Sequence, residues 1–249
     1  MKNLLLTLAL LVLPELLRPA LTTVLGDWTF AAAYLYLLGV GVLMMRRAGI
    51  AATDIGLAPK QVARGAGLFA ALLLASMTAF YLMSSWNDGG SFGDCLAVSG
   101  ITAGEFARHW LVVGPVEELV WRGVVLTLLM SGHTRWRKLP WVLLPVVVGT
   151  TLFCAWHSGM LVSIEQFNAK AFTFLFVISS LLSYFFLRTR SVVFVALAHG
   201  YSNANLIGTH GEQAVLLLLV VALELYLLAT LLWRRLRPNP ATVTGHARA

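Results

Sequence analysis

Residues 102–131 read TAGEFARHWLVVGPVEELVWRGVVLTLLMS. The stretch is long enough to cross a bilayer, whose roughly 30 Å of hydrocarbon needs about 20 mostly apolar helical residues. It does not alternate apolar and polar residues with a period of two, as a strand of a membrane barrel would. Yet Glu117, Glu118 and Arg122 sit in its middle. Ionisable side chains in hydrocarbon cost several kcal/mol unless they are paired or hydrated. The stretch therefore reads as a membrane helix whose polar residues face protein, not lipid.

The rest of the chain fits that reading. Of 249 residues, 59% are hydrophobic and 12% charged, with a mean hydropathy of +0.81. A soluble domain is about 45–50% apolar and about 25% charged. A water-soluble globule, a disordered chain and a fibrous repeat are thereby excluded. Seven more apolar runs, at about 4–24, 28–45, 66–84, 140–163, 170–187, 191–208 and 213–233, bring the predicted crossings to eight. The fold class expected is an all-α polytopic membrane helix bundle. Pro14, Glu15 and Arg18 interrupt the first run, which is expected to be a retained helix and not a cleaved leader. Residues 46–65 read as an interfacial loop, 1–237 as a single transmembrane domain and 238–249 as a disordered tail.

Eighteen Lys and Arg against eleven Asp and Glu give a net charge of +7. The basic residues gather at the ends of apolar runs: Arg46, Arg47, Lys60 and Arg64, then Arg135, Arg137 and Lys138, then Arg188 and Arg190, then Arg234, Arg235 and Arg237. The loops 85–101 and 209–212 hold neither Lys nor Arg. By the positive-inside rule both termini are cytoplasmic, and the basic balance reports orientation in a lipid bilayer, not nucleic-acid binding. Cys95 and Cys154 form no CxxC, so neither a disulfide framework nor a sulfur-rich metal site is expected. No sequence feature selects an oligomeric state.

Few ionisable residues fall within the predicted spans. Glu118 and Arg122 are four apart and share a helix face, so they can pair. Glu117 points about 100° away and has no local partner. His157 follows Phe153 on the fifth span, and His199 precedes Asn203 by four residues on the seventh. Glu105, Arg108 and His109 open the fourth span, where a local ion pair is the simplest account. Two histidines and a Glu-Glu pair on separate apolar helices point to a shared polar cavity. A carboxylate with a neutral imidazole can deprotonate water, and an imidazole with a carboxamide can donate to a developing oxyanion. These are the requirements of peptide hydrolysis without a serine or cysteine nucleophile. The same donors could instead ligate Zn²⁺, though no HExxH motif occurs.

Glu117-Glu118-x-x-x-Arg122, Phe153-x-x-x-His157 and His199-x-x-x-Asn203, in that order on separate apolar segments, resemble the CAAX protease and bacteriocin-processing family of glutamic intramembrane proteases. The resemblance covers roughly residues 60–210. It implies an eight-helix bundle around a polar intramembrane cavity and cleavage of a membrane protein or peptide substrate. By its pattern Glu117 is the general base, His157 helps to activate water, and His199 with Asn203 forms the oxyanion hole. Glu118 and Arg122 support the helix, and Phe153 packs beside the site. It also implies a metal-independent mechanism with no cofactor, with zinc kept as an alternative. A non-catalytic binding or immunity protein of the same fold is a second expectation. A proton-coupled transporter is a third, and the absence of inverted repeats in the sequence speaks against it.

Overall fold

The computed structural model describes residues 2–88, 102–131, 139–157, 169–204 and 211–236. Eight helices lie among the described residues: α1 (Lys2–Leu25), α2 (Thr29–Ala48), α3 (Pro59–Asp88), α4 (103–130), α5 (Leu139–His157), α6 (Ala169–Thr189), α7 (Val192–Ala204) and α8 (Gly211–Leu236). Each occupies the place of one predicted crossing, and no strand occurs among these residues.

Four stretches are long and apolar enough to cross a membrane by length and composition: Thr29–Ala48, Ala52–Met83, Ala169–Thr189 and Ala214–Trp233. Val142–His157 is apolar but shorter. In α4 the buried charges reduce apolarity, and the described part of α7 has 13 residues. The predicted ends of the fifth and seventh crossings, 158–163 and 205–208, lie outside the described residues, as does the expected tail 238–249.

One boundary differs from expectation. Residues 59–65, predicted as part of a loop, are the first turns of α3. Pro59 supplies a φ suited to the first helical turn, and Gln61 accepts from the Ala58 amide at 3.2 Å while donating to the Thr53 carbonyl at 3.0 Å. Ahead of it, Ala52–Ile55 form a short 3₁₀ turn whose Ile55 is fully buried.

By Cα proximity the chain divides into two compact units. The first holds residues 1–69 and 100–206, the second 70–99 and 207–249. In the second, α8 buries Val215, Leu219 and Leu223 and exposes Leu217, Val221, Leu225, Leu228 and Leu232. A helix that exposes so many large apolar side chains opposite its buried stripe suits a lipid surface and not water.

The first unit contains the predicted site residues. Its core joins Leu11 of α1, Leu37, Val40 and Met44 of α2, Val116, Val120, Trp121, Val124 and Val125 of α4, and Phe153 and Cys154 of α5. The α2 and α4 positions recur every three or four residues, so each helix presents one continuous face. Helix α4 has two widened, π-type stretches, at Arg108–Val113 and Leu119–Leu126. They flank the single α-helical segment Gly114–Glu118 that carries both carboxylates. Pro115 has no amide to give the preceding turn and its ring crowds the carbonyl four residues back, which accounts for the first widening.

Helices α4 and α7 cross at two glycines. A Cβ on Gly114 would lie 2.6 Å from the Ala196 carbonyl oxygen, and one on Gly200 would lie 3.1 Å from Cα of Trp110. Small residues that let helix backbones approach are the main route to tight packing in lipid. Ser191 caps α7 by accepting from the Phe194 amide at 3.2 Å. The close crossing places His199, next to Gly200, against the carboxylates of α4. Gly114→Ala, which must displace backbone, is expected to lose about 1–3 kcal/mol of stability. Gly104→Ala, whose Cβ has only Thr102 Oγ1 at 3.9 Å, serves as the neutral control, and unfolding titrations of the two variants in detergent check the difference.

Candidate active site

The site is built from the middle of α4 outward. Glu117 and Glu118 retain 2% and 0% of their surface, Arg122 2% and His199 5%, so none is solvated by bulk water. Arg122 Nη1 donates to Glu118 Oε1 at 2.9 Å, as the i,i+4 spacing predicts. Arg122 Nη2 donates across to α6, to the Ser179 carbonyl at 2.9 Å and to its Oγ at 2.6 Å. The guanidinium carbon also lies 4.9 Å from the centre of the Phe153 ring, a favourable cation–π contact. One buried cation is thus committed to one carboxylate and to α6.

His199 Nδ1 approaches the same Glu118 oxygen at 2.7 Å. The carboxylate accepts, so Nδ1 carries the hydrogen, and Nε2 faces the other way, 3.8 Å from Glu117 Oε2. His157 is oriented in the same sense: Nδ1 donates to the Phe153 carbonyl at 3.2 Å, and Nε2 lies 3.3 Å from Glu117 Oε2. A neutral imidazole whose Nδ1 donates has a bare Nε2. Three acceptors, Glu117 Oε2 and the two Nε2 atoms, therefore converge on one point. They require hydrogens between them, carried either by an imidazole or by a shared solvent molecule.

Phe153 is buried at 4% and belongs to the core while packing against the imidazoles. Its ring lies 4.0 Å from the His157 ring and 6.4 Å from the His199 ring, centre to centre. Trp156 stands edge-on to His157 at 4.6 Å. A cavity of about 260 Å³ opens onto this group, lined by Tyr34, Arg108, His109, Glu117, His157, His199 and Asn203 among others. Asn203 stands one turn beyond His199, on the same side of α7. All four residues predicted for catalysis thus border one cavity, as does Phe153, with Glu118 and Arg122 buried behind them.

Two contributors were missed. Tyr34, on α2, donates its hydroxyl to Glu117 Oε1. Ser179, on α6, holds Arg122. Each is a neutral polar residue on a largely apolar helix far away in sequence, and neither carries a spacing signal. The expected local ion pair at the start of α4 is also different. Glu105 turns back to cap its own helix, accepting from the Thr102 amide at 2.9 Å and hydroxyl at 3.0 Å. The unsatisfied amides of the first turn compete for that carboxylate. Arg108 lies over the Phe30 ring at 4.3 Å instead, and with His109 it reaches the cavity. A metal would have to use Glu117, His157 and His199, but among the described residues no three His, Cys, Asp or Glu side chains are grouped so as to hold one.

Arg122→Met leaves the buried Glu118 carboxylate without its cation and is expected to cost about 3–5 kcal/mol. Glu118→Gln combined with Arg122→Met removes both charges and is expected to recover part of that loss. A double-mutant cycle on unfolding midpoints measures the coupling.

No curated protein and no solved structure matches the chain. A family model does: that of the Rce1-like family, described as type II CAAX prenyl endopeptidase Rce1-like, matches residues 99–205. This segment runs from just before α4 to just after α7 and includes every motif residue from Glu117 to Asn203. The Rce1-like family is a protease family, so the match supports a peptide hydrolase with a membrane-associated protein substrate. With the four long apolar stretches it also supports an integral membrane protein. The match supports the resemblance carried by the three motifs: over residues 99–205 the chain is similar to the Rce1-like family.

Proposed function

We propose that the protein is a multi-pass intramembrane endopeptidase that hydrolyses a peptide bond of a membrane-embedded or membrane-proximal protein by a glutamate-activated water. The observation that carries the proposal is the convergence of Glu117 Oε2 with two Nε2 atoms, at 3.3 and 3.8 Å. A water molecule placed among them donates to two acceptors and points its lone pair at a substrate carbonyl in the cavity.

As the water oxygen forms its bond to the carbonyl carbon, one water proton passes to Glu117, with His157 sharing the load. The carbonyl oxygen becomes an oxyanion beside His199 and Asn203. His199 can donate from Nε2 only while both its nitrogens are protonated. The Glu118 carboxylate, 2.7 Å from Nδ1, offsets that charge and is itself paired with Arg122 at 2.9 Å. Collapse of the tetrahedral adduct breaks the C–N bond, and the proton held by Glu117 passes to the leaving amine. Low surrounding polarity strengthens each of these electrostatic contacts. No metal takes part in this scheme.

A farnesylated, internally quenched peptide ending in a CAAX sequence, presented in liposomes, is the first substrate to test. Glu117→Gln keeps the shape of the side chain and removes the base, and kcat is expected to fall about 100- to 10,000-fold. Wild-type turnover by Glu117→Gln contradicts the mechanism. Activity is expected to survive prolonged treatment with a chelator. Loss of activity that added Zn²⁺ restores contradicts the metal-free scheme and favours the zinc alternative.

A further inference from the structure

The family match begins at residue 99, whereas one hydrogen bond to Glu117 comes from α2, at Tyr34. Resting on the hydrolytic reading above, we infer that Tyr34 is a positioning residue of the site: its hydroxyl holds Oε1 of Glu117 so that Oε2 alone faces the two imidazoles.

Placement of the phenol follows from helix packing. On α2, Leu37, Val40, Gly41 and Met44 are buried, and a Cβ on Gly41 would touch Val120 of α4 at 3.3 Å. Tyr34 lies one turn before Leu37, and Glu117 one turn before Val120, so the same helix contact carries the hydroxyl to the carboxylate. The ring itself is steadied by Phe30, 4.5 Å away centre to centre, over which Arg108 lies at 4.3 Å.

A carboxylate has two equivalent oxygens and rotates about its terminal bond unless something distinguishes them. Here the distinction is built in. Oε1 accepts from a phenol, and Oε2 lies 3.3 and 3.8 Å from the two imidazole Nε2 atoms. The phenol also directs its hydrogen at the carboxylate, so it adds no competing acceptor at the point where water is held. Without it, the carboxylate can turn its plane away from the imidazoles, and Oε2 spends less time in reach of the water proton.

The test pairs Tyr34→Phe, which keeps the ring and deletes one oxygen, with Glu117→Gln in proteoliposomes. The kinetic readout is kcat and KM on the farnesylated quenched peptide. The spectroscopic readout is the carboxylate stretch of Glu117, isolated as the infrared difference made by Glu117→Gln in the wild-type and in the Tyr34→Phe background. Loss of a hydrogen bond to a charged group predicts a kcat about tenfold lower with KM little changed, and a shifted Glu117 band. A wild-type kcat in Tyr34→Phe, or an unmoved band, overturns the inference. Failure of the hydrolytic reading looks different: Glu117→Gln then turns over like wild type while the Tyr34-dependent band shift persists.

Discussion

Two adjacent buried carboxylates and a single guanidinium set the problem that the rest of the site solves. Arg122 is fully engaged, by Glu118 Oε1 at 2.9 Å and by Ser179 at 2.6 and 2.9 Å. Its charge is spent on Glu118, which also receives Nδ1 of His199. Glu117 receives the Tyr34 hydroxyl on Oε1 and has the two imidazole Nε2 atoms near Oε2, at 3.3 and 3.8 Å. A buried anion supported in this way is held in place but keeps an oxygen available for a proton. The same accounting orients both histidines, because each Nδ1 has an acceptor behind it and each Nε2 is turned to Glu117.

The helix geometry serves this arrangement. The α-helical segment Gly114–Glu118 sits between two π-type stretches, and such bulges are common at functional sites because they re-aim side chains within a helix. Close approach at Gly114 and Gly200 brings α7 against α4, so that one side chain, His199, touches both carboxylates from a second helix. In lipid there is little hydrophobic force between helices, and contacts of this kind, together with the Arg122–Ser179 bridge, hold the helices in register.

Much of this was legible in the sequence because it depends on local periodicity. Composition gives the membrane class, and apolar runs give eight helix positions. The four-residue intervals in Glu118–Arg122, Phe153–His157 and His199–Asn203 give the faces. What was not legible depends on contacts between distant helices. Nothing about Tyr34 or Ser179 in isolation marks it as a partner of Glu117 or Arg122, and the role of Glu118 in orienting His199 needs the glycine crossing. The start of α3 at Pro59 and the capping role of Glu105 were missed for another reason. Charge and turn propensity suggested a loop and an ion pair, while unsatisfied backbone amides at helix starts claimed Gln61 and Glu105 first.

The central claim is that both imidazoles carry a proton on Nδ1, so that the bare Nε2 of His157 and Glu117 Oε2 hold the attacking water while His199 is held by Glu118. Nitrogen-15 NMR of histidine-labelled protein in lipid, with His157 and His199 assigned by substitution, measures it directly on the neutral rings. The account predicts a protonated Nδ1 on both rings and a hydrogen-bond-accepting Nε2 on His157. A bare Nδ1 with a protonated Nε2 on either ring would contradict it.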